Sequence, residues 1–252
     1  MRKIVLLCLL ALVGAAAADE SYPLKFKWRA GQEFRHAVKV GGQVWFDGKP
    51  LNEFSYSGTW VRRIVSVDAE GTAGFEAESR DVNRSDAFQL YDFGGVSPGL
   101  IARGRIKSNG KIVLMDHAQP GDPEYWSLLI FPDQPVPLNG AWKYAPPAEA
   151  LAREMGVEAK GEITYQLKEK VRYKGRECLK VFRESQFKIG YDPRNELRDL
   201  AVDTRGVIWF DTVVGNLVDA ELEEVYTGRV LREGEPPHEV KAKATIEFRL
   251  TR

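Results

Sequence analysis

Gly95-Val96-Ser97-Pro98-Gly99 is the one stretch whose residue types spell out a reaction. It has the form G-x-S-x-G, the strand-to-helix elbow in which a serine attacks an acyl carbon. Asp203 or Asp211, followed by His238, supplies the chain order serine, acid, histidine. In an elbow, the residue after the serine donates its backbone N–H to the oxyanion. Here that residue is Pro98, which has no N–H. Residues 100–106 also lead into a hairpin rather than a helix. Gly95, Pro98 and Gly99 account for the pattern as a chain reversal.

No other catalytic pattern emerges. His36, His117 and His238 show no H-x-H, H-E-x-x-H or paired-cysteine spacing that would hold zinc. His36 falls on an apolar strand face. His117 follows Asp116, and neighbours in an extended chain point to opposite faces. His238 follows Pro236-Pro237 in a loop. The glycines are dispersed as turn residues, so no phosphate-cradling loop is present, and no catalytic, cofactor or metal residue is assigned. The chain holds 36 acidic residues, too many for sequence to select one glycosidase-type pair. Trp28, Trp60 and Trp209 stand in apolar strand patterns, where packing is expected. Trp45, Tyr125 and Trp126 lie in turn-proximal or irregular sequence and are the candidate ligand contacts.

These groups must be positioned by strands. Leu24, Phe26 and Trp28 alternate with Lys25, Lys27 and Arg29, and Phe34, His36, Val38 and Val40 continue the pattern. Ile163, Tyr165 and Leu167 repeat it, and Val240 to Leu250 carries it longest. Period-two alternation predicts half-buried antiparallel strands. Asn109-Gly110, between Arg105-Ile106-Lys107 and Lys111-Ile112-Val113, predicts a type I′ hairpin with positive φ at both residues. Asp47-Gly48, Lys174-Gly175 and Gly215-Asn216 mark further turns. A short helix is expected over residues 148–155, and a second helical turn near 123–129. Seven prolines between 120 and 147 punctuate an aromatic and aliphatic stretch that is too apolar for a free linker. It reads as a strap.

The expected architecture is all-β. It is a large curved antiparallel sheet, a half-barrel or pseudo-duplicated meander, with one or two short helices and the proline-rich strap. Residues 19–252 read as a single all-β domain. Two sheet halves, 19–119 and 157–252, would be joined by the segment 120–156.

Residues 1–18 read as a cleavable export signal. Arg2 and Lys3 precede an apolar run, and Ala16-Ala17-Ala18 offers small residues for cleavage after Ala18. The apolar run is about half the ~20 residues needed to span a bilayer, so no stable transmembrane anchor is expected. Processing removes Cys8, leaving Cys178 as a lone thiol in a strand-like setting that predicts a small, half-buried, unreactive side chain. It also removes Arg2 and Lys3, leaving 34 basic against 36 acidic residues, interspersed in sign. Such a surface lacks the concentrated basic face of a nucleic-acid binder.

Ala30-Gly31-Gln32-Glu33-Phe34, the run from Phe131 to Trp142, Tyr173 to Leu179, and Gly206-x-Ile208-x-Phe210-Asp211 with Gly215 and Leu217 carry a resemblance. They are similar to a broad group of uncharacterised exported bacterial β proteins. That group includes domains thought to be similar in shape to periplasmic lipoprotein-carrier half-barrels. The resemblance implies periplasmic or extracellular location and a curved sheet. Its motifs are turn glycines, a packing tryptophan and strand ends, and it transfers no catalytic residue. Three classes of function follow. The leading one is a non-enzymatic binding domain for a hydrophobic ligand, an envelope component or a protein partner. The second is a hydrolase whose site assembles only in three dimensions, and the third is a structural or assembly module.

Overall fold

A computed structural model describes residues 20–85, 101–116, 128–146, 159–190, 197–232 and 234–251. Thirteen strands are found among them. They are β1 (Ser21–Tyr22), β2 (Glu33–Phe46), β3 (Lys49–Val67), β4 (Ala73–Arg84), β5 (Ile101–Ile106), β6 (Ile112–Asp116) and β7 (Val136–Pro137). The chain continues with β8 (Ala141–Tyr144), β9 (Ala159–Tyr173), β10 (Arg176–Ile189), β11 (Leu197–Asp211), β12 (Asn216–Val230) and β13 (His238–Leu250). The described residues contain no helix. Segment 148–155 lies outside them, as does 123–127.

Eleven strands form one antiparallel sheet in the order β6-β5-β4-β3-β2-β13-β12-β11-β10-β9-β8, while β1 and β7 pair separately. The meander β2 to β6 runs out to one edge. The chain then crosses to the opposite edge at β8, and β9 to β13 runs back until β13 pairs with β2. The edge strands β6 and β8 do not pair, so the sheet is open. Both are short, which limits the unpaired backbone they present.

Two pairs of hydrogen bonds require the sheet to curl. The Phe26 amide donates to the Ser108 carbonyl in the β5–β6 turn at 2.7 Å, and the next amide, Lys27, donates to Gly215 in the β11–β12 turn at 3.0 Å. In a flat sheet these turns would stand six strand spacings, about 29 Å, apart. Adjacent residues cannot bridge that gap unless the sheet bends. The strap does the same nearer the edges. Phe131 donates to Asn109 at 2.8 Å, and the Trp142 indole of β8 donates to Ile130 at 2.6 Å. One end of the curled sheet is thereby plugged. Phe26 stacks on Trp28 at 4.7 Å and meets Phe210 edge-on at 5.3 Å, and Phe131 meets Phe210 at 4.8 Å.

Leu24, Phe26 and Trp28 are buried, as their alternation implies. They do not form a sheet strand, however; this segment lies extended across the inner face. Period two reports an extended chain on an apolar surface, and it does not say which backbone partners the chain finds. Trp209 also departs from expectation. It faces the outer side and stacks on Tyr173 at 4.5 Å.

The Asn109-Gly110 turn is a further correction. Only Gly110 has positive φ, at 89°, so the turn is not type I′. Gly110 donates to Lys107 at 2.9 Å, and the Asn109 side chain accepts from the Lys111 amide at 3.0 Å. This is a three-residue loop with glycine in the left-handed position. Asp47-Gly48 and Lys174-Gly175 have positive φ at both residues, the geometry expected of type I′.

A Cβ at Gly110 would lie 2.3 Å from the Leu129 carbonyl oxygen and 2.8 Å from the Phe26 ring. Gly110→Ala is therefore expected to loosen the plug and lower stability by roughly 2–4 kcal/mol. Gly48→Ala meets no neighbour within 4 Å and should cost about 1 kcal/mol. Urea midpoints of the two variants check this, and equal midpoints would contradict it.

Candidate functional site

Side chains of successive strands divide cleanly between two faces. The outer face is charged. Glu33 bridges Arg35 and Arg63 at 2.7 Å each, and Arg63 reaches Glu78 at 2.9 Å, which also pairs with Arg80. Hydrogen bonds from Arg35 and then Arg63 hold the Glu33 carboxyl below its usual range. Exposed pairs of this kind contribute about 0–1 kcal/mol each, so they solubilise the face more than they stabilise it. The inner face is apolar, built from Phe34, Val38, Trp60, Phe75, Leu179, Val181, Ile208 and Phe248, among others.

A polar row interrupts that inner face between β9 and β12. Cross-strand partners fix its geometry. Ser185 of β10 stands opposite Thr204 of β11, and Thr204 stands opposite Glu224 of β12. Directly opposed residues share a face, with Cβ atoms about 5 Å apart. Arg183 lies two residues from Ser185, between Tyr165 of β9 and Gly206 of β11. Arg183 is 4% exposed, Ser185 3% and Thr204 6%.

The row falls into a satisfied half and an unsatisfied half. The Glu224 carboxylate accepts from the Thr204 hydroxyl at 3.3 Å and from the Tyr226 phenol. Burial and the Glu224 charge push the Tyr226 phenol well up. By contrast, Nε and Nη1 of Arg183 and Oγ of Ser185 are buried and have no hydrogen-bond partner. Gly206, across the strand pair, offers no side chain. The Tyr165 phenol lies beside the guanidinium and the Ile130 carbonyl without a well-formed bond to either. Burial raises its pKa, and Arg183 opposes the rise. A buried guanidinium lacking a counter-charge is costly in an apolar wall. It is the feature of this face that packing does not explain.

Sequence reasoning missed this row, although a signal was present. Val181, Arg183, Ser185 and Phe187 alternate on one face, as do Val202, Thr204 and Gly206, and Leu222, Glu224 and Tyr226. Polar residues inside an otherwise apolar alternation mark the place.

The residues singled out from sequence are dispersed. Trp45 is half-buried on the outer face, opposite Pro50 and Lys241. Tyr125, Trp126, His117 and Ser97 lie outside the described residues. Asp211 pairs with Asn216 at the start of β12, while His238 pairs with Val230 at its end. The length of that strand, roughly 45 Å, separates them. Asp203 is exposed. His238 instead faces Asp47 at 2.7 Å and Glu235 at 3.3 Å, and the bond to Asp47 raises its pKa.

The remaining buried polar groups stand at turns and strand ends, where Nδ2 of Asn216 and Oδ1 of Asp219 also have no hydrogen-bond partner. Asp211 accepts from the Val213 and Val214 amides at 2.8 and 2.9 Å and from Arg176 at 3.2 Å. Asp219 is fully buried and accepts from Tyr173 at 2.9 Å, from Arg249 at 3.4 Å and from Lys174. It ties the β9–β10 turn to β12 and β13. Cys178, opposite Asp211, is fully buried. His36 is buried within the plugged end, stacked on Phe248 at 4.3 Å, with its Nε2 3.4 Å from the Leu217 carbonyl. Among the described residues no group of three or more His, Cys, Asp or Glu is placed to hold a metal.

Burial and then the Asp211 charge push the Cys178 thiol up to about 11. Little thiolate forms at neutral pH. Iodoacetamide is expected to leave Cys178 unlabelled in the native protein and to label it after unfolding; fast native labelling would contradict this.

Burial, and then the Arg62 charge, lower the pKa of His36 to about 3. Below about pH 6.5 the unfolded chain takes up a proton that the folded chain refuses, so stability falls as pH falls from 6.5 towards 3. The full span is on the order of 4–5 kcal/mol. Glu33 and Asp47, both held low, remain ionised between pH 6.5 and 5, which isolates His36 in that window. His238, raised, contributes with the opposite sign and only as pH climbs above 6.5. His36→Phe should flatten the dependence of the urea midpoint on pH from 6.5 to 5.

No family model matches this chain, and no curated protein matches it. Among solved structures it is similar to one entitled "Lipid-protein interactions in lipovitellin", with 12% sequence identity and a TM-score of 0.47. The alignment covers 90% of this chain and 26% of that one, so the chain spans about a quarter of that structure's length.

Proposed function

We propose that this chain is an exported binding domain that holds the apolar part of a small amphipathic ligand against the inner face of its curled sheet. The carrying observation is the composition of that face. It is an apolar wall on an open sheet, and it bears a polar row in which Nε and Nη1 of Arg183 and Oγ of Ser185 are left unmatched. A sheet that served packing alone would complete its wall with aliphatic side chains, because each unmatched buried polar group costs about 1–3 kcal/mol. Small-molecule sites have this character, mostly apolar with a few convergent polar groups. Residues 1–18 and the resemblance to exported bacterial β proteins support a periplasmic or extracellular setting. Among the described residues no helix is long and apolar enough to cross a membrane.

Ile246 is a half-buried inner-face residue of β13, opposite Leu222 and Val40. The neutral dye N-phenyl-1-naphthylamine is expected to bind the purified protein saturably. Ile246→Glu should weaken binding at least tenfold, whereas Lys241→Glu on the outer face should not change it. Absence of saturable binding to folded protein would refute the binding function. N-terminal sequencing of the fractionated native protein is expected to begin at Asp19, and a start at Met1 would refute export with cleavage.

A further inference from the structure

We propose that Arg183, with the Ser185 hydroxyl beside it, receives a single oxyanion on the ligand, so that this domain selects an anionic amphiphile over a neutral one. This rests on the binding function proposed above and adds the chemistry of the head group. Nε and Nη1 of Arg183 and Oγ of Ser185 are buried without partners on one stretch of β10. The guanidinium remains charged at any physiological pH, so it cannot escape its burial by losing a proton. An oxyanion supplies both the missing counter-charge and acceptors for the free N–H groups, and charge-assisted bonds of this kind are among the strongest in proteins.

The surroundings fix the charge of the ligand. Glu224 shares the inner face two strands away, but Thr204 and Tyr226 already engage its carboxylate. Arg62, the inner-face arginine nearer the plug, lies over the rings of Trp28 and Phe75 at 5.8 Å. Among the described residues no carboxylate pairs with the Arg183 guanidinium, so a ligand bearing one negative charge would match it. Apolar side chains flank it along β10, Val181 on one side and Phe187 on the other. Across β11 and β12 the wall continues through Leu222 to Ala242 and Ala244 of β13, three strand spacings or about 14 Å from β10. An oxyanion at Arg183 would thus lie among apolar side chains against which an attached chain could pack. Carboxylate and phosphate heads share this chemistry.

The test compares dodecanoate, dodecyl phosphate and dodecanol, each by displacement of N-phenyl-1-naphthylamine, with acetate and inorganic phosphate as heads without tails. The wild-type protein is expected to bind the anionic amphiphiles at least tenfold more tightly than dodecanol and to bind neither tail-less head measurably. A preference between the two anionic amphiphiles identifies the head group. Arg183→Gln should abolish the anionic preference, so that dodecanoate and dodecanol bind with equal affinity to each other, and Arg183→Lys should retain part of that preference. Arg183→Met should raise the urea midpoint of the ligand-free protein, because an unpaired buried charge is replaced by an apolar side chain of similar length. Equal binding of dodecanol and dodecanoate by the wild type would overturn the anion receptor yet leave the binding function standing. Saturable dye binding with no displacement by any of the three alkyl compounds would overturn the anion receptor alone, whereas binding of neither the dye nor any alkyl compound would overturn both. Tight binding of acetate or phosphate alone would overturn the amphiphile assignment. A lowered midpoint in Arg183→Met, with the anionic preference intact in Arg183→Gln, would make Arg183 a packing residue.

Discussion

The shape of this protein depends on how residues 24–28 and 129–131 dock across one end of the sheet. Eleven antiparallel strands hydrogen-bonded in series define only a ribbon, whose own right-handed twist does not bring distant turns together. The amides of Phe26 and Lys27 reach turns that lie six strand spacings apart in the sheet order, and the strap links the β5–β6 turn to Trp142 of β8. The rings of Phe26, Trp28, Phe131 and Phe210 fill the space so formed. Burying each such side chain is worth about 1.5–3 kcal/mol. The curl, and with it the distinction between an inside and an outside, follows from that docking.

Once the sheet has an inside, its two faces obey different physics. Outside, ion pairs such as Glu33 with Arg63 form and break in high dielectric, and they contribute little beyond solubility. Inside, the same kinds of charge are dear. Glu224 is tolerated because two hydroxyls serve it, and Arg62 lies against aromatic rings. Arg183 has neither arrangement, which is why the function proposed for this face centres on it. The acids Asp211 and Asp219 are as deeply buried but differ in kind. Backbone amides, Arg176, Tyr173, Lys174 and Arg249 engage them, and they serve the turns at the plugged end.

The same contrast separates the three regions that hold a histidine or cysteine within the described chain. His36 is neutral because burial against Phe248 denies its charged form water and the Arg62 charge opposes protonation, against which the Leu217 carbonyl is too weak. Cys178 is a thiol because burial disfavours the thiolate and the Asp211 charge across from it adds to that effect. His238 gains a proton readily because two carboxylates flank it at the surface near the β2–β3 turn. Each follows from whether water or an opposite charge is within reach.

The sequence by itself determined that the chain is all-β, which residues point inward in runs such as Phe34 to Val40, Ile163 to Leu167 and Val240 to Leu250, and where several of the turns fall. These rest on local physics: period-two alternation in Phe34 to Val40 and Val240 to Leu250, and glycines where φ must be positive. Tertiary structure alone decided that Leu24 to Trp28 crosses the sheet instead of joining it, that the Asn109-Gly110 turn has positive φ at Gly110 alone, and that Trp45 and Trp209 face outward. It alone placed Tyr165, Arg183, Ser185, Thr204 and Glu224 in one row. Those residues come from four strands spread over sixty positions of chain, and strand register brings them together. Alternation assigns each residue to a face but says nothing about which residues share it across a sheet.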